Sequence, residues 1–112
     1  MTRFKYTEAL DKAGRILFAK HDVAVDDRYG KCIKAGYTID GTPDDDTVRI
    51  THCMPELTVL DDGYDDRMSS DEMAAERHRM VDAYAKTLEA AGWTVERRGP
   101  RSRKPYLLAR RS

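Results

Sequence analysis

The sequence has no asparagine or glutamine, only two cysteines and no long apolar run. Two cysteines are too few for the disulfide framework of a small secreted domain. No apolar stretch approaches the roughly 18–20 residues of a membrane-spanning helix, and residues 1–6 lack the apolar segment of a signal peptide. We therefore expect a cytoplasmic protein that does not contact a membrane.

Length and composition predict one folded domain that spans residues 1–112. A chain of 112 residues has the typical size of a single domain. Hydrophobic residues make up 40% of it, which is enough for a modest core. The nine aromatic residues are spread along the chain, whereas a disordered protein would have few of them.

Residues 7–20 have the pattern of an amphipathic helix. Leu10, Ala13 and Leu17 recur at the three- and four-residue spacing that places side chains on one side of a helix. Thr7 precedes this pattern and is a good residue for the N-cap.

A second, longer helix is predicted between Ser69 and Gly92. Ser69 and Glu72 have the spacing of a capping box, in which each side chain satisfies a backbone amide of the other residue. Gly92 stands where a left-handed residue commonly ends a helix, and Trp93 would then pack on Leu88 in a Schellman motif.

The remaining segments predict two β-hairpins. Residues 31–39 and 47–54 alternate between apolar and polar side chains, and a polar loop at 56–70 follows them. A second hairpin comprises residues 93–97 and 106–110. The element order is therefore α-β-β-α-β-β, which predicts an α+β fold: a four-stranded, mainly antiparallel sheet with two helices on one face.

The charges are strongly segregated along the chain although the formal net charge is zero. Residues 40–72 hold eleven acids and two bases, whereas residues 97–112 hold seven bases and no acid. We expect the basic 97–111 hairpin or the acidic 40–66 loops to meet a protein or nucleic-acid partner, and a homodimer is an alternative use of the opposite charges. The candidate contact residues are Arg97, Arg98, Arg101, Arg103, Lys104, Tyr106, Arg110 and Arg111.

No metal site or cofactor is expected from the spacing of the histidines and cysteines. Zinc sites favour ligand pairs separated by two to five residues, and no such pair occurs among His21, Cys32, His52, Cys53 and His78. We expect His52 to face the core and bond to backbone. Cys32 and Cys53 are predicted on the outer face of the first hairpin, where one register would allow a disulfide and the next would not.

Sequence motifs of catalysis are missing as well. No nucleophile elbow or phosphate-binding glycine loop occurs, and the Asp-rich loops read as solvated surface. We therefore expect a protein that is not an enzyme. A small enzyme that uses Cys53, His52 or His78 remains the alternative, because catalytic residues need not be neighbours in sequence.

Residues 88–98 and 106–108 form a helix, a glycine, a strand, a basic loop and a returning strand in sequence. This arrangement resembles the end of a winged-helix domain. The resemblance implies a DNA-binding regulator with Arg97, Arg98, Arg101, Arg103 and Lys104 on phosphates. Winged-helix domains carry three helices before the wing, whereas residues 31–54 are predicted here as strands.

Two further segments, residues 29–32 and 90–95, are similar to segments of small uncharacterised proteins of actinobacteria and their phages. That resemblance implies an origin and no activity. The sequence as a whole therefore predicts a non-enzymatic binding or accessory protein, encoded by a phage or mobile element, that acts through a charged surface.

Overall fold

The computed structural model describes residues 7–55 and 70–111. Within them the chain forms two helices and six strands, and it confirms the α+β fold with an antiparallel four-stranded sheet. The elements are α1 (Glu8–Phe18), β1 (Val25–Asp26), β2 (Cys32–Lys34), β3 (Gly36–Gly41), β4 (Thr47–Cys53), α2 (Ser70–Ala90), β5 (Thr94–Arg98) and β6 (Tyr106–Arg110). The predicted 56–70 loop and the Ser69 cap lie almost entirely outside the described residues.

The main sheet has the strand order β3-β4-β6-β5, and every neighbouring pair is antiparallel. Ile50 of β4 lies opposite Ile39 on one side and Leu107 on the other, so these apolar side chains share one face. Both helices pack on that face: α1 against β3 and β4, and α2 against β4, β5 and β6. Within residues 7–55 and 70–111, neither helix packs on the other face of the sheet.

The core lies between the sheet and the two helices. Its largest fully buried side chains include Leu17 from α1, Ile50 from β4, Tyr84 and Leu88 from α2, and Leu107 from β6. Because each element contributes alternating or helically spaced apolar residues, the core is the part of the fold that the sequence pattern specifies most directly.

The helix ends follow local sequence signals. The Thr7 hydroxyl accepts a hydrogen bond from the Leu10 amide at 3.1 Å, as expected for an N-cap. At the end of α2, Gly92 has a φ of 93°, a value that favours glycine. The Trp93 amide then donates to the Leu88 carbonyl at 3.0 Å, and the Gly92 amide donates to Glu89. The predicted Schellman motif is confirmed.

The predicted 31–39 strand is divided at Ala35 into two strands that belong to different sheets. Residues 32–34 pair with β1 in a two-stranded ribbon, and β3 pairs with β4. The cause is the chain that arrives from α1. The Tyr37 amide donates to the Asp22 carbonyl, and the Tyr37 carbonyl accepts from the Ala24 amide, both at 3.0 Å. A β-carbon at Gly36 would collide with this backbone, so glycine is required there.

Candidate functional site: the open face of the sheet

The face of the sheet opposite the helices carries a row of outward side chains. In the strand register, Arg49 of β4 lies opposite Leu108, and Thr51 lies opposite Tyr106. Arg98 of β5 lies on the other side of Tyr106. Within the described part of the chain the helices pack elsewhere. We call this surface the open face; its charged and aromatic members are Asp40, Arg49, Glu96, Arg98, Tyr106 and Arg110.

A groove of about 820 Å³ runs over the open face. Its floor includes Tyr106 and Leu108, and Asp44 and other residues of the β3–β4 loop line one side. The Arg49 guanidinium lies over the Tyr106 ring, 4.6 Å from the ring centroid. Such a cation–π contact contributes about 0.5–1 kcal/mol at an exposed site. The two side chains thus present one flat, stacked surface to the groove.

Two further exposed arginines lie on this face, Arg98 beside Tyr106 and Arg110 at the other end of β6. Arg98 forms an ion pair with Glu96 at 3.2 Å, and both side chains are largely solvated. Exposed pairs of this kind contribute between zero and about 1 kcal/mol, so Arg98 can exchange its partner at little cost. The face therefore offers three arginines and an aromatic ring, together with the acids Asp40 and Glu96.

The structure separates the predicted basic residues into two groups. Arg97 points toward the helix side, where it pairs with Asp82 at 3.1 Å and with Glu89 at 3.2 Å. These acids hold the pKa of Arg97 above its ordinary value, mainly through the hydrogen bond to Glu89. The side chain therefore joins β5 to α2.

Two other arginines of the hairpin are also engaged within the chain. Arg111 pairs with Asp46 at 3.0 Å and with Glu8 at 3.5 Å. Arg103 pairs with Asp71 at 2.8 Å. Much of the charge that is segregated in sequence is thus neutralised in space. The basic end of the chain meets acids of α1, of α2 and of the β3–β4 loop.

The second group of basic residues faces solvent. Arg98 and Arg110 lie on the open face with the predicted contact residue Tyr106, as described above. Arg101 and Lys104 are exposed in the tip of the β5–β6 hairpin. Of the predicted acidic 40–66 loops, the described part ends at residue 55 and includes Asp46, the partner of Arg111; residues 56–66 lie outside the described chain.

His52 faces the core as expected, but its partner is a side chain and not backbone. Its Nδ1 atom lies 2.6 Å from the Tyr84 hydroxyl, because β4 packs directly against α2. Burial lowers the pKa of His52, and it also raises the pKa of Tyr84. Both groups are therefore held in their neutral forms. The pair lines a cleft of about 280 Å³ together with Asp22, Glu76 and other residues.

The three residues of the enzyme alternative point in different directions. His52 faces the helices, and Cys53, the next residue of β4, lies on the opposite face. His78 lies on α2, where its Nε2 atom is 2.7 Å from the carbonyl oxygen of Ser102 in the hairpin tip. His52 and Cys53 both line one cleft of about 320 Å³, but their side chains lie on opposite faces of β4.

Cys32 and Cys53 are free thiols and both are half-buried. Cys53 lies opposite Gly36 in the main sheet, so neither predicted hairpin register holds. The ribbon nevertheless folds back, and it brings the sulfur of Cys32 and a carboxylate oxygen of Asp26 within 4.8 Å of the Cys53 sulfur.

Sequence reasoning missed Arg49 and Asp26 as site residues. Arg49 occupies an outward position of an alternating strand, which is a usable signal, but its contact with Tyr106 depends on β4 and β6 being neighbours. Asp26 lies in a two-residue strand that has no recognisable pattern. The contacts of both residues depend on which strands are neighbours and not on the local sequence.

No helix in residues 7–55 and 70–111 combines the length and apolar character needed to cross a membrane.

Comparison with known proteins assigns no family to this chain. The likenesses to a winged-helix wing and to proteins of actinobacteria and their phages stay predictions. No family model, no curated protein and no solved structure matches this chain.

Proposed function

We propose that the protein is a non-enzymatic binding module whose open face holds a single strand of nucleic acid. The observation that carries this proposal is the Arg49–Tyr106 stack on a sheet face where neither described helix packs, with Arg98 and Arg110 on the same face. Unstacked bases bind to aromatic rings and guanidinium planes, and arginines bind the phosphates between them. A duplex hides its bases from such a flat surface, which is why a single strand fits better.

The internal ion pairs support the open face over the hairpin as a whole. Arg97 and Arg111 each bind two acids of the same chain, whereas Arg98 pairs with a solvated acid. Phosphate contacts through Arg97 or Arg111 would require two ion pairs to break. The double pairing of Arg97 weighs against the winged-helix alternative, in which Arg97 contacts a duplex phosphate.

Fluorescence anisotropy with labelled single-stranded DNA and RNA, and with duplex DNA, tests the proposal. Stacking on an aromatic side chain contributes about 1–3 kcal/mol per base. Tyr106→Ala should therefore weaken single-strand binding about five- to 150-fold. If Arg49, Arg98 and Arg110 each bind one phosphate, the logarithm of the affinity should fall with the logarithm of salt concentration with a slope of about −2.

Arg97→Ala is the matched control, since it removes one positive charge from the same strand as Arg98 but on the helix side. An equal loss of affinity in Arg97→Ala and Arg49→Ala would indicate general electrostatic attraction to the whole chain and contradict a site on the open face. Tighter binding to duplex than to single strands would favour the DNA-regulator alternative. Binding to neither at low salt would eliminate both.

A protein partner is the second candidate, and exposed apolar side chains on another surface favour it. Phe18, Tyr29 and Ile33 are 68%, 85% and 59% exposed, although large apolar side chains usually avoid water. A second copy of this chain is the partner that can be tested directly. Light scattering at rising concentration should show dimers that Ile33→Ser reduces; a strict monomer would exclude this homodimer.

The cytoplasm and an origin in a phage or mobile element belong to the same proposal. Cys32 and Cys53 are free, which suits a reducing compartment. The absence of asparagine and the excess of arginine over lysine suit a GC-rich genome, because asparagine and lysine codons are AT-rich, and sequencing of the source DNA tests that point.

A further inference from the structure

The ribbon of β1 and β2 returns to the main sheet at a point where two thiols and a carboxylate meet. Asp26 comes from β1, Cys32 from β2, and Cys53 from the end of β4. The two sulfur atoms and a carboxylate oxygen of Asp26 all lie within 4.8 Å of one another. Three potential ligands thus converge from three strands that belong to two different sheets.

The separations are close to those of a metal site. Zinc binds sulfur at about 2.3 Å and carboxylate oxygen at about 2.0–2.2 Å in tetrahedral geometry, which sets the ligand atoms about 3.5–3.8 Å apart. Since no two of the three ligand atoms are more than 4.8 Å apart, closing the cluster to that size needs side-chain shifts of at most about 1 Å. Asp26 is exposed and both cysteines are half-buried, so an ion can reach the cluster from solvent.

The local charge also favours a cation, because the Asp26 carboxylate lies beside the two thiols. The Cys32 thiol donates to the Lys34 carbonyl at 3.3 Å.

We propose that Asp26, Cys32 and Cys53 bind a thiophilic divalent cation of the Zn²⁺ class, which fastens the ribbon to β4. Two sulfurs and one carboxylate oxygen suit Zn²⁺, whereas Mg²⁺ and Ca²⁺ prefer oxygen ligands alone. On binding, each thiol loses its proton to solvent as its metal–sulfur bond forms. Water completes the fourth position, as in zinc sites with three protein ligands. This site departs from the expectation of no metal, which rested on sequence spacing.

Co²⁺ titration of the reduced full chain, followed by the thiolate-to-metal absorption band, tests the site. We expect saturation at one ion per chain. The band should disappear in Cys32→Ser and in Cys53→Ser. Asp26→Asn should weaken Co²⁺ binding at least about tenfold, because loss of even an outer partner of a metal ligand costs that much. Asp71→Asn, which changes an exposed aspartate on α2, is the matched control and should bind as the wild type does.

Thermal unfolding with and without Zn²⁺ gives the second measurement, since an ion that binds only the folded state raises its stability. The wild type and Asp71→Asn should be stabilised by Zn²⁺, and the cysteine variants should not. Circular dichroism establishes that each variant is folded. The proposal is overturned if one equivalent of Co²⁺ gives no thiolate band, if either serine variant keeps the band, or if binding requires two chains per ion.

Discussion

Lowering the pH from 7.5 to 5.5 should destabilise the folded protein, because His52 is buried in its neutral form. Its exposed fraction is 8%, and burial lowers its pKa from the ordinary value of 6.5. The unfolded chain therefore binds a proton more readily than the folded chain does. The stabilisation is complete above the unfolded pKa and is lost as the pH falls through 6.5 toward the lower folded value.

The size of the effect follows from proton linkage. Below the unfolded pKa, one histidine that stays neutral in the fold costs at most about 1.4 kcal/mol per pH unit. His52 should therefore remove up to about 1.4 kcal/mol by pH 5.5. Burial lowers the pKa of His21 as well, so this residue adds in the same direction.

The carboxylates of Glu8, Asp44 and Asp82 do not add to the loss of stability between pH 7.5 and pH 5.5. The pKa values of Glu8, Asp44 and Asp82 lie below their ordinary values of 4.5, 3.8 and 3.8. Their stabilisation is present above the unfolded pKa and is lost only as the pH falls below it. Acidification to pH 5.5 should thus report mainly on buried His52 and half-buried His21.

Urea unfolding at several pH values, followed by the fluorescence of Trp93, measures the effect. His52→Asn keeps a polar group near the Tyr84 hydroxyl and removes the titration, so its stability should depend less on pH than that of the wild type. Ile50→Val is the matched control: it should cost about 0.5–1.5 kcal/mol at every pH and keep the wild-type pH dependence. Equal pH dependence in the wild type and His52→Asn would refute the reasoning, as would stability that rises on acidification.

The remaining predictions concern packing, backbone geometry and ion pairs. Leu88→Ala should cost about 2–5 kcal/mol in urea unfolding, because it leaves a cavity in the core; a loss under 1 kcal/mol would contradict its full burial. Gly36→Ala should lower the free energy of unfolding by about 1–3 kcal/mol, because a β-carbon would collide with the 22–24 backbone. Hydrogen exchange should then show a faster exchange of the Tyr37 amide, which bonds to Asp22 in the wild type. Gly92→Ala should cost about 1–2 kcal/mol through its left-handed backbone, and thermal melts measure it. A double-mutant cycle of Arg111 and Asp46 should give at most about 1 kcal/mol, falling with salt; a larger, salt-independent coupling would refute an exposed pair.

Local sequence signals identify most of the fold because they act within a few residues. The spacing of Leu10, Ala13 and Leu17 specifies the buried face of α1, and alternation specifies which face of β4 is buried. The Thr7 side chain caps the start of α1, and the lack of a side chain at Gly92 permits the left-handed backbone at the end of α2. These features require no knowledge of distant contacts, and the α+β class follows from their order.

The candidate sites were less predictable, because they depend on which strands become neighbours. Alternation places Arg49 and Tyr106 on outward positions, but only the β4–β6 pairing stacks one on the other. Periodicity likewise predicts one strand over residues 31–39. The backbone that follows α1 packs against Gly36 and divides this strand at Ala35.

The sequence by itself determined the class of fold, the core and the helix ends, since hydrophobic periodicity and capping are local properties. Tertiary structure decided where the charges meet: it paired Arg97 and Arg111 with acids far away in the chain and left Arg98 and Arg110 outward. It also brought Asp26 to two thiols. Ion pairs and ligand clusters depend on distances in space, and these arise only when strands distant in sequence become neighbours in the sheets.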